Sequence, residues 1–248
     1  MPPTPRKKNP PLKRKLPEKN KTHRNPAPEC AGAGFFIHPF YGRTLQKCAE
    51  RLERRGFRSF VVSGLKEAAD LMRGLVRELS PASASYGDSM TLKATGILDE
   101  LNASPDIQFY DGFVPGMDRE EKWEIRRRGM TADLFLTGIN AVSMKGTLHW
   151  VDMVGNRVAP VAFGPRNVIL LAGANKLVAT PEEARERIRR IAPLNARRHE
   201  DFKTPCMYTG TCADCNSPDR LCNIHMSIVK CFPKGRIAVI LMEESGGL

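Results

Sequence analysis

Two apolar runs, Asp133-Leu134-Phe135-Leu136-Thr137-Gly138 and Asn167-Val168-Ile169-Leu170-Leu171-Ala172-Gly173, each end in glycine. Hydrophobicity that does not alternate predicts strands covered on both faces, the condition of central strands in a parallel sheet. Parallel neighbours need crossover connections, and the intervening sequence supplies helices. Thr44 to Arg55 puts Leu45, Cys48, Ala49 and Leu52 on one face, and Gly56 closes it. Phe60-Val61-Val62 is β-prone, Lys66 to Leu79 is helical in pattern, and Ser83 to Tyr86 leads into Gly87. Met90 to Leu101 reads as one helix, Ile107-Gln108-Phe109 as a strand, and Arg119 to Arg128 as a charged helix anchored by Trp123. Gly146 to Val151 has the composition of a hairpin or edge strand. Thr180-Pro181-Glu182-Glu183 marks a helix start by its cap threonine and following proline, with the helix expected to run to about Ala192. Arg236 to Met242 is the final strand. The expected fold is α/β, a mostly parallel sheet flanked by helices, with no internal repeat.

The length of 248 residues suits one domain with appendages. The net charge of +12 is concentrated: residues 1–28 hold nine Lys or Arg against the single acid Glu18, with eight prolines. Such a segment buries too little to offset its ordering entropy, so residues 1–33 are expected to form a disordered basic arm ahead of an α/β domain at 34–248. Charge alone could bring the arm to nucleic acid or anionic lipid. It has no aromatic residue to stack on bases and no apolar face for a bilayer, so a solvated extension explains it as well. The rest of the chain shows neither paired RNA-stacking aromatics nor a helix-turn-helix pattern, which argues against nucleic acid as a partner. No apolar h-region and no membrane span is visible, so a cytoplasmic location is expected.

Cys206, Cys212, Cys215 and Cys222 form a C-x5-C-x2-C-x6-C series among Pro, Gly, Asp and Asn, within a Cys-rich loop at 204–231. A turn-rich stretch with little apolar surface needs a cross-link, and in a reducing cytosol clustered thiols point to a metal. Four thiolates suit a structural zinc ion or a [4Fe–4S] cluster, and the spacing selects neither. His225 and Cys231 are spare ligands. Cys30 and Cys48 stand alone and are expected to be ordinary core or surface residues.

Ligands of open α/β sheets sit off the carboxyl ends of the strands. Gly87-Asp88-Ser89-Met90-Thr91 offers close backbone approach and hydroxyls for an anion, or simply a capped helix. Thr137 and Asn140 follow the first apolar run and could face a ligand or stabilise a turn. Asp152, Asn156 and Arg157 surround Gly155. Arg157 could pair with a carboxylate or phosphate while Asp152 orients it or acts as a base; alternatively the two brace the turn as a salt bridge. Asn175 and Lys176 follow the second run and add a cation. No nucleotide-cofactor motif is visible.

In that order, Ala132 to Ala141, Gly155-Asn156-Arg157-Val158-Ala159, Phe163-Gly164-Pro165 and Gly173-Ala174-Asn175-Lys176, with Gly87 to Leu92 before them, resemble the LUD domain of lactate-utilisation proteins over roughly residues 35–245. The resemblance implies a fold like that of ribose-phosphate isomerases and CoA transferases, and a place in a lactate-to-pyruvate oxidation system with iron–sulfur partner subunits. It does not assign catalysis to this subunit, and no acyl-accepting glutamate in a Gly-rich loop is present. The redox setting favours iron–sulfur in the cysteine loop, and the small stapled loop favours zinc. A second hypothesis is a stand-alone enzyme binding a phosphorylated or acylated small molecule at Asp88, Asp152 and Arg157.

Overall fold

The computed structural model describes residues 33–199 and 201–248. The basic arm expected at 1–33 lies outside these, apart from Ala33, as does Cys30. The described residues begin with α1 (Ala33–Arg54), which starts earlier than the sequence pattern suggests, and β1 (Arg58–Val62). Then come α2 (Leu65–Leu79), β2 (Ser83–Tyr86), α3 (Met90–Lys93), α4 (Ile97–Ala103) and β3 (Gln108–Tyr110). The single helix expected from Met90 to Leu101 is two helices. Gly96 breaks it at φ +74°, and the Thr95 hydroxyl bonds Leu92 O and the Ile97 amide in place of a continuing helical ladder.

Next are α5 (Arg119–Gly129), β4 (Leu134–Gly138), β5 (Ala141–Ser143), β6 (Thr147–Asp152), α6 (Val158–Ala162) and β7 (Asn167–Gly173). A 3-10 turn at Ala174–Lys176 leads to β8 (Leu177–Val178) and α7 (Pro181–Ala196). The Thr180 hydroxyl caps α7 on the Glu183 amide at 3.3 Å, as its sequence predicts. The helix runs beyond Ala192 with Pro193 inside it, because Pro193 and Ala196 are both buried. The cysteine segment contains α8 (Pro205–Thr209) and β9 (Ile224–Ile228), and β10 (Ile237–Met242) completes the series.

Six strands form an all-parallel sheet in the order β1-β10-β7-β4-β2-β3. The two apolar runs are its neighbouring strands β4 and β7, near the middle. Their residues alternate between two cores. Val168, Leu170 and Ala172 of β7, with Ile237, Val239 and Leu241 of β10, pack in the core that includes Leu45, Cys48 and Leu52 of α1. Ile169 and Leu171, with Ala238, Ile240 and Met242, pack in the core shared with Ala68, Met72 and Leu75 of α2 and Leu98 of α4. That double burial is why neither strand carries polar residues in its middle. Beside this sheet lies a second, four-stranded one, β8-β5-β6-β9. The expected hairpin strand at Gly146 to Val151 is β6, paired with β5 on one side and β9 on the other, so it is interior to its sheet. Among the described residues no helix is long and apolar enough to cross a membrane.

Candidate functional site

From β2 the chain steps outward to β3 and then returns to the far side of β2 as β4, continuing to β7 and β10. The direction of winding therefore reverses between β2 and β4, and the crevice at the carboxyl edge beside that reversal is where ligands of such sheets bind. The loops after β2, β4 and β7, which begin at Gly87, Ile139 and Ala174, all open on this edge.

Gly87 is tightly enclosed: a Cβ there would stand 2.5 Å from Arg157 Cγ and 2.7 Å from Thr137 Oγ1. The missing side chain thus lets the Arg157 stem lie across the end of β2. Asp152 fixes that arginine. Its Oδ2 accepts from the amides of Arg157 (2.9 Å) and Val158 (3.3 Å), and its Oδ1 from the Met153 amide (3.2 Å) and the Arg157 guanidinium (3.4 Å). Arg157 Nη2 also donates to Val151 O at 2.6 Å. Asp152 is 6% exposed, with both oxygens engaged. This is the bracing salt bridge, and it leaves Arg157 Nη1 without a protein partner among the described residues.

Charge converges around this arginine. Asp88 pairs with Lys93 (2.7 Å) and Arg198 (3.5 Å). Burial alone would raise its carboxyl, yet Lys93, Arg198 and His199 together hold it below the usual range. His199 is pushed down by burial and by Arg198 and Arg157, against the pull of Asp88. Arg126, from α5, stacks over Phe113 at 4.3 Å and donates to Gly112 O at 3.0 Å. Burial lowers it, while the charges of Asp88 and Asp152 oppose that shift. Tyr86 donates to Asp111 at 2.8 Å, and burial followed by the bond to Asp111 raises its phenol strongly. A cavity of about 280 Å³ opens beside Lys93, lined also by Tyr86, Leu98, Phe109 and Asp111. Arg126, Arg157, Arg198 and Lys93 thus share this edge with Asp88, Asp111 and Asp152, and Asp99 lines the same cavity as Asp111.

The other expected residues fall nearby. Ser89 caps the Leu92 amide at 3.3 Å and its side chain packs against Gly138; Thr137 donates to Gly87 O at 3.4 Å. Asn140 accepts from the Val151 amide at 3.1 Å, and Asn156 is half-buried beside Arg157. Lys176 is 5% exposed and donates to Thr91 Oγ1 at 3.2 Å. Burial, then the charges of Arg187 and Arg157, press it down to about 8. The Asn175 side chain holds the chain's last residues, accepting from the Gly246 amide at 3.0 Å and donating to Gly247 O at 3.2 Å. Sequence reasoning passed over Arg126, Arg198 and His199. Their segments read as solvated charge, and only the fold brings them to the crevice.

The four cysteines of the loop are all half-buried. Burial raises the Cys222 thiol, and Arg220 opposes that shift. Asp214, between two of them, takes φ +47° to turn the knuckle. Arg220 braces the loop, donating to the carbonyls of Cys215 and Cys222 and to Asp214 Oδ1 at 2.7 Å. Among the described residues no three Cys, His, Asp or Glu side chains are drawn close enough to hold a metal ion in this geometry. Of the spare ligands, Cys231 belongs to the core containing Phe57 and donates to Pro233 O, while His225 feels Arg220 and Asp214 at the loop. Cys48 is a core residue, its thiol pushed up to about 12 by burial. The loop's end is tied to the crevice through the Asn223 amide, which donates to Asp152 O at 3.0 Å.

A family model for the LUD domain matches residues 45–242, most of the chain and every element from β1 to β10. The protein belongs to the LUD-domain family. A crystal structure of a DUF162 family protein from Deinococcus radiodurans is similar at 15% identity, covering 82% of this chain and 97% of that one with a TM-score of 0.44. No curated protein matches the sequence. The family match spans the Gly87 turn, the Asp152–Arg157 brace, Lys176 and the whole cysteine loop.

Proposed function

We propose that this LUD-domain protein is a cytoplasmic subunit of a system oxidising a small organic acid, of the lactate-to-pyruvate kind, and that it binds the acid's carboxylate in the crevice between β2 and β4. The observation that carries this reading is the gathering of Arg157, Arg126, Arg198 and Lys93 around that crevice, with Arg157 held rigid by Asp152. A fixed guanidinium with one nitrogen unspent can donate to one carboxylate oxygen while the neighbouring cations add charge. Asp152 serves in this reading as the residue that orients Arg157, since its oxygens are committed to amides and guanidinium.

The cysteine loop is the second part of the proposal. Cys206, Cys212, Cys215 and Cys222 would hold zinc or a [4Fe–4S] cluster; four half-buried thiols in one short loop braced by Arg220 suit either. Binding would draw the thiols inward from their present separation. A cluster would let the loop exchange electrons with iron–sulfur partner subunits, whereas zinc would only staple it.

Two measurements test the parts separately. Calorimetric titration of the full chain with lactate, pyruvate and phosphate should give a saturable site that Arg157→Ala abolishes, and unchanged affinity in that variant would end the crevice reading. Anaerobic purification with iron, zinc and sulfide analysis should find metal bound in proportion to protein and lost in a Cys212→Ser/Cys215→Ser variant. Protein without metal would end the second part. The alternative, a stand-alone enzyme binding a phosphorylated or acylated molecule at Asp88, Asp152 and Arg157, draws on the Arg157 nitrogen that has no protein partner among the described residues. It requires an acyl phosphate to stabilise the isolated chain more than lactate does at equal concentration.

A further inference from the structure

Lys176 stands apart from the other cations of the carboxyl edge. It follows the central strand β7, is 5% exposed, and makes one side-chain hydrogen bond, to the Thr91 hydroxyl at 3.2 Å. No described carboxylate lies within ion-pair distance of it. The charges that reach it are those of Arg187 and Arg157, both cations. A buried ammonium beside two guanidiniums and without a counter-ion is an unfavourable arrangement, which is relieved when the nitrogen gives up its proton. The product is a neutral primary amine, a nucleophile toward carbonyl carbon, activated by desolvation and cationic neighbours.

The surroundings define what such an amine could meet. Arg187 spends Nε on Asn175 O and Nη1 on Asn140 O, and Arg157 spends Nε and Nη2 on Asp152 and Val151, so each keeps one nitrogen without a protein partner among the described residues. An amine next to the Asn175 carbonyl that Arg187 holds, and within the field of Arg157, matches a molecule carrying a carbonyl next to a carboxylate. Access is controlled by the chain itself. A Cβ on Gly247 would stand 3.5 Å from the Lys176 nitrogen and 2.5 Å from Thr91 Oγ1, so this segment covers the amine closely. Gly247 also lines a cleft of about 450 Å³ that holds Arg187, and Asn175 clasps the segment from both sides through Gly246 and Gly247.

We propose that Lys176 forms an imine with a small 2-oxo acid that enters when residues 246–247 lift from the Asn175 clasp. The amine adds to the carbonyl carbon, a carbon–nitrogen bond forms, and the carbonyl oxygen leaves as water after taking up two protons. No oxidant or reductant is consumed. The Thr91 hydroxyl, hydrogen-bonded to the nitrogen, is placed to pass a proton to the departing oxygen. This inference rests on the carboxylate-binding reading above and adds to it the class of acid and the bond it makes.

The experiment is borohydride trapping on the full chain with pyruvate as the probe, read by intact mass and peptide mapping. The expected result is one reduced adduct per chain on the peptide containing Lys176, absent from Lys176→Met and Lys176→Arg, and formed faster in Asn175→Ala. Lys176→Met keeps the buried side chain uncharged and of similar length, so loss of the adduct there, with the thermal midpoint held or raised, separates chemistry from misfolding. Calorimetric binding of pyruvate without any adduct at Lys176 would overturn this inference alone. Adducts spread over surface lysines and unchanged in Lys176→Met would overturn it too, while absence of both binding and adduct would overturn the carboxylate reading with it.

Discussion

Removing Asp152 should cost more than removing its partner. Asp152 is 6% exposed and answers the amides of Met153, Arg157 and Val158 as well as the Arg157 guanidinium. In Asp152→Ala the first amides of α6 lose their acceptor, and a guanidinium with a side-chain exposure of 17% is left without its carboxylate. Breaking a buried pair from that side costs about 3–5 kcal/mol. For a domain of this size each kcal/mol moves the midpoint by roughly 2–4 °C, so the variant should melt roughly 6–20 °C lower. In Arg157→Ala the carboxylate keeps its three amide donors, and the guanidinium hydrogen bonds to it that disappear are long, at 3.4 Å. With the 2.6 Å bond to Val151 O lost as well, the cost should be about 1.5–3 kcal/mol, that of a charged hydrogen bond. Urea unfolding of both variants gives the two values directly. An Asp152→Ala loss below about 1 kcal/mol, or an Arg157→Ala loss as large as that of Asp152→Ala, would refute the view that Asp152 is the structural brace.

Gly87→Ala should weaken carboxylate binding at least about tenfold by pushing Arg157 and Thr137 off the end of β2, which calorimetry on the folded variant would read. His149, bonded to Thr147 Oγ1 (2.7 Å) and Ser227 Oγ (2.8 Å), is lowered by burial and then by Arg185. Its unfolded form takes up a proton first, so its contribution is complete above its ordinary value and is lost as pH falls through the lowered one. Melting curves across that range should therefore show a shallower acid loss in His149→Gln than in the parent. Leu170→Ala, fully buried in β7, should cost about 2–5 kcal/mol in urea unfolding without a specific effect on metal content.

The sheet was legible where residues are buried on both sides. Leu134 to Leu136 and Val168 to Ala172 announce central strands because no solvent-facing position interrupts them. The second sheet was hidden for the opposite reason. Its strands β5 and β8 span Ala141–Ser143 and Leu177–Val178, too short for any period to register, and they exist through pairing with one another. In the crevice, Asp88 and Arg157 were visible because glycines beside them signal close packing. Arg126 and Arg198 were not, since an arginine on a charged helix and one over a crevice have the same local sequence. The cysteine series named its candidate ligands, but not that Cys231 would be enclosed in the core or that Arg220 would brace the loop.

The strand order also sets a timetable. β10, last of the described strands to be synthesised, sits between β1 and β7, so until residues 237–242 leave the ribosome both of those strands have a bare side. Until then β1 must wait with unpaired amides and the Val, Leu and Ile of β7 only partly covered, a state prone to association between nascent chains. Closure then joins segments nearly the whole domain apart, an ordering event that favours slow, late and cooperative completion. A ribosome stalled just short of Ile237 should hold a chain far more open to protease than its length suggests.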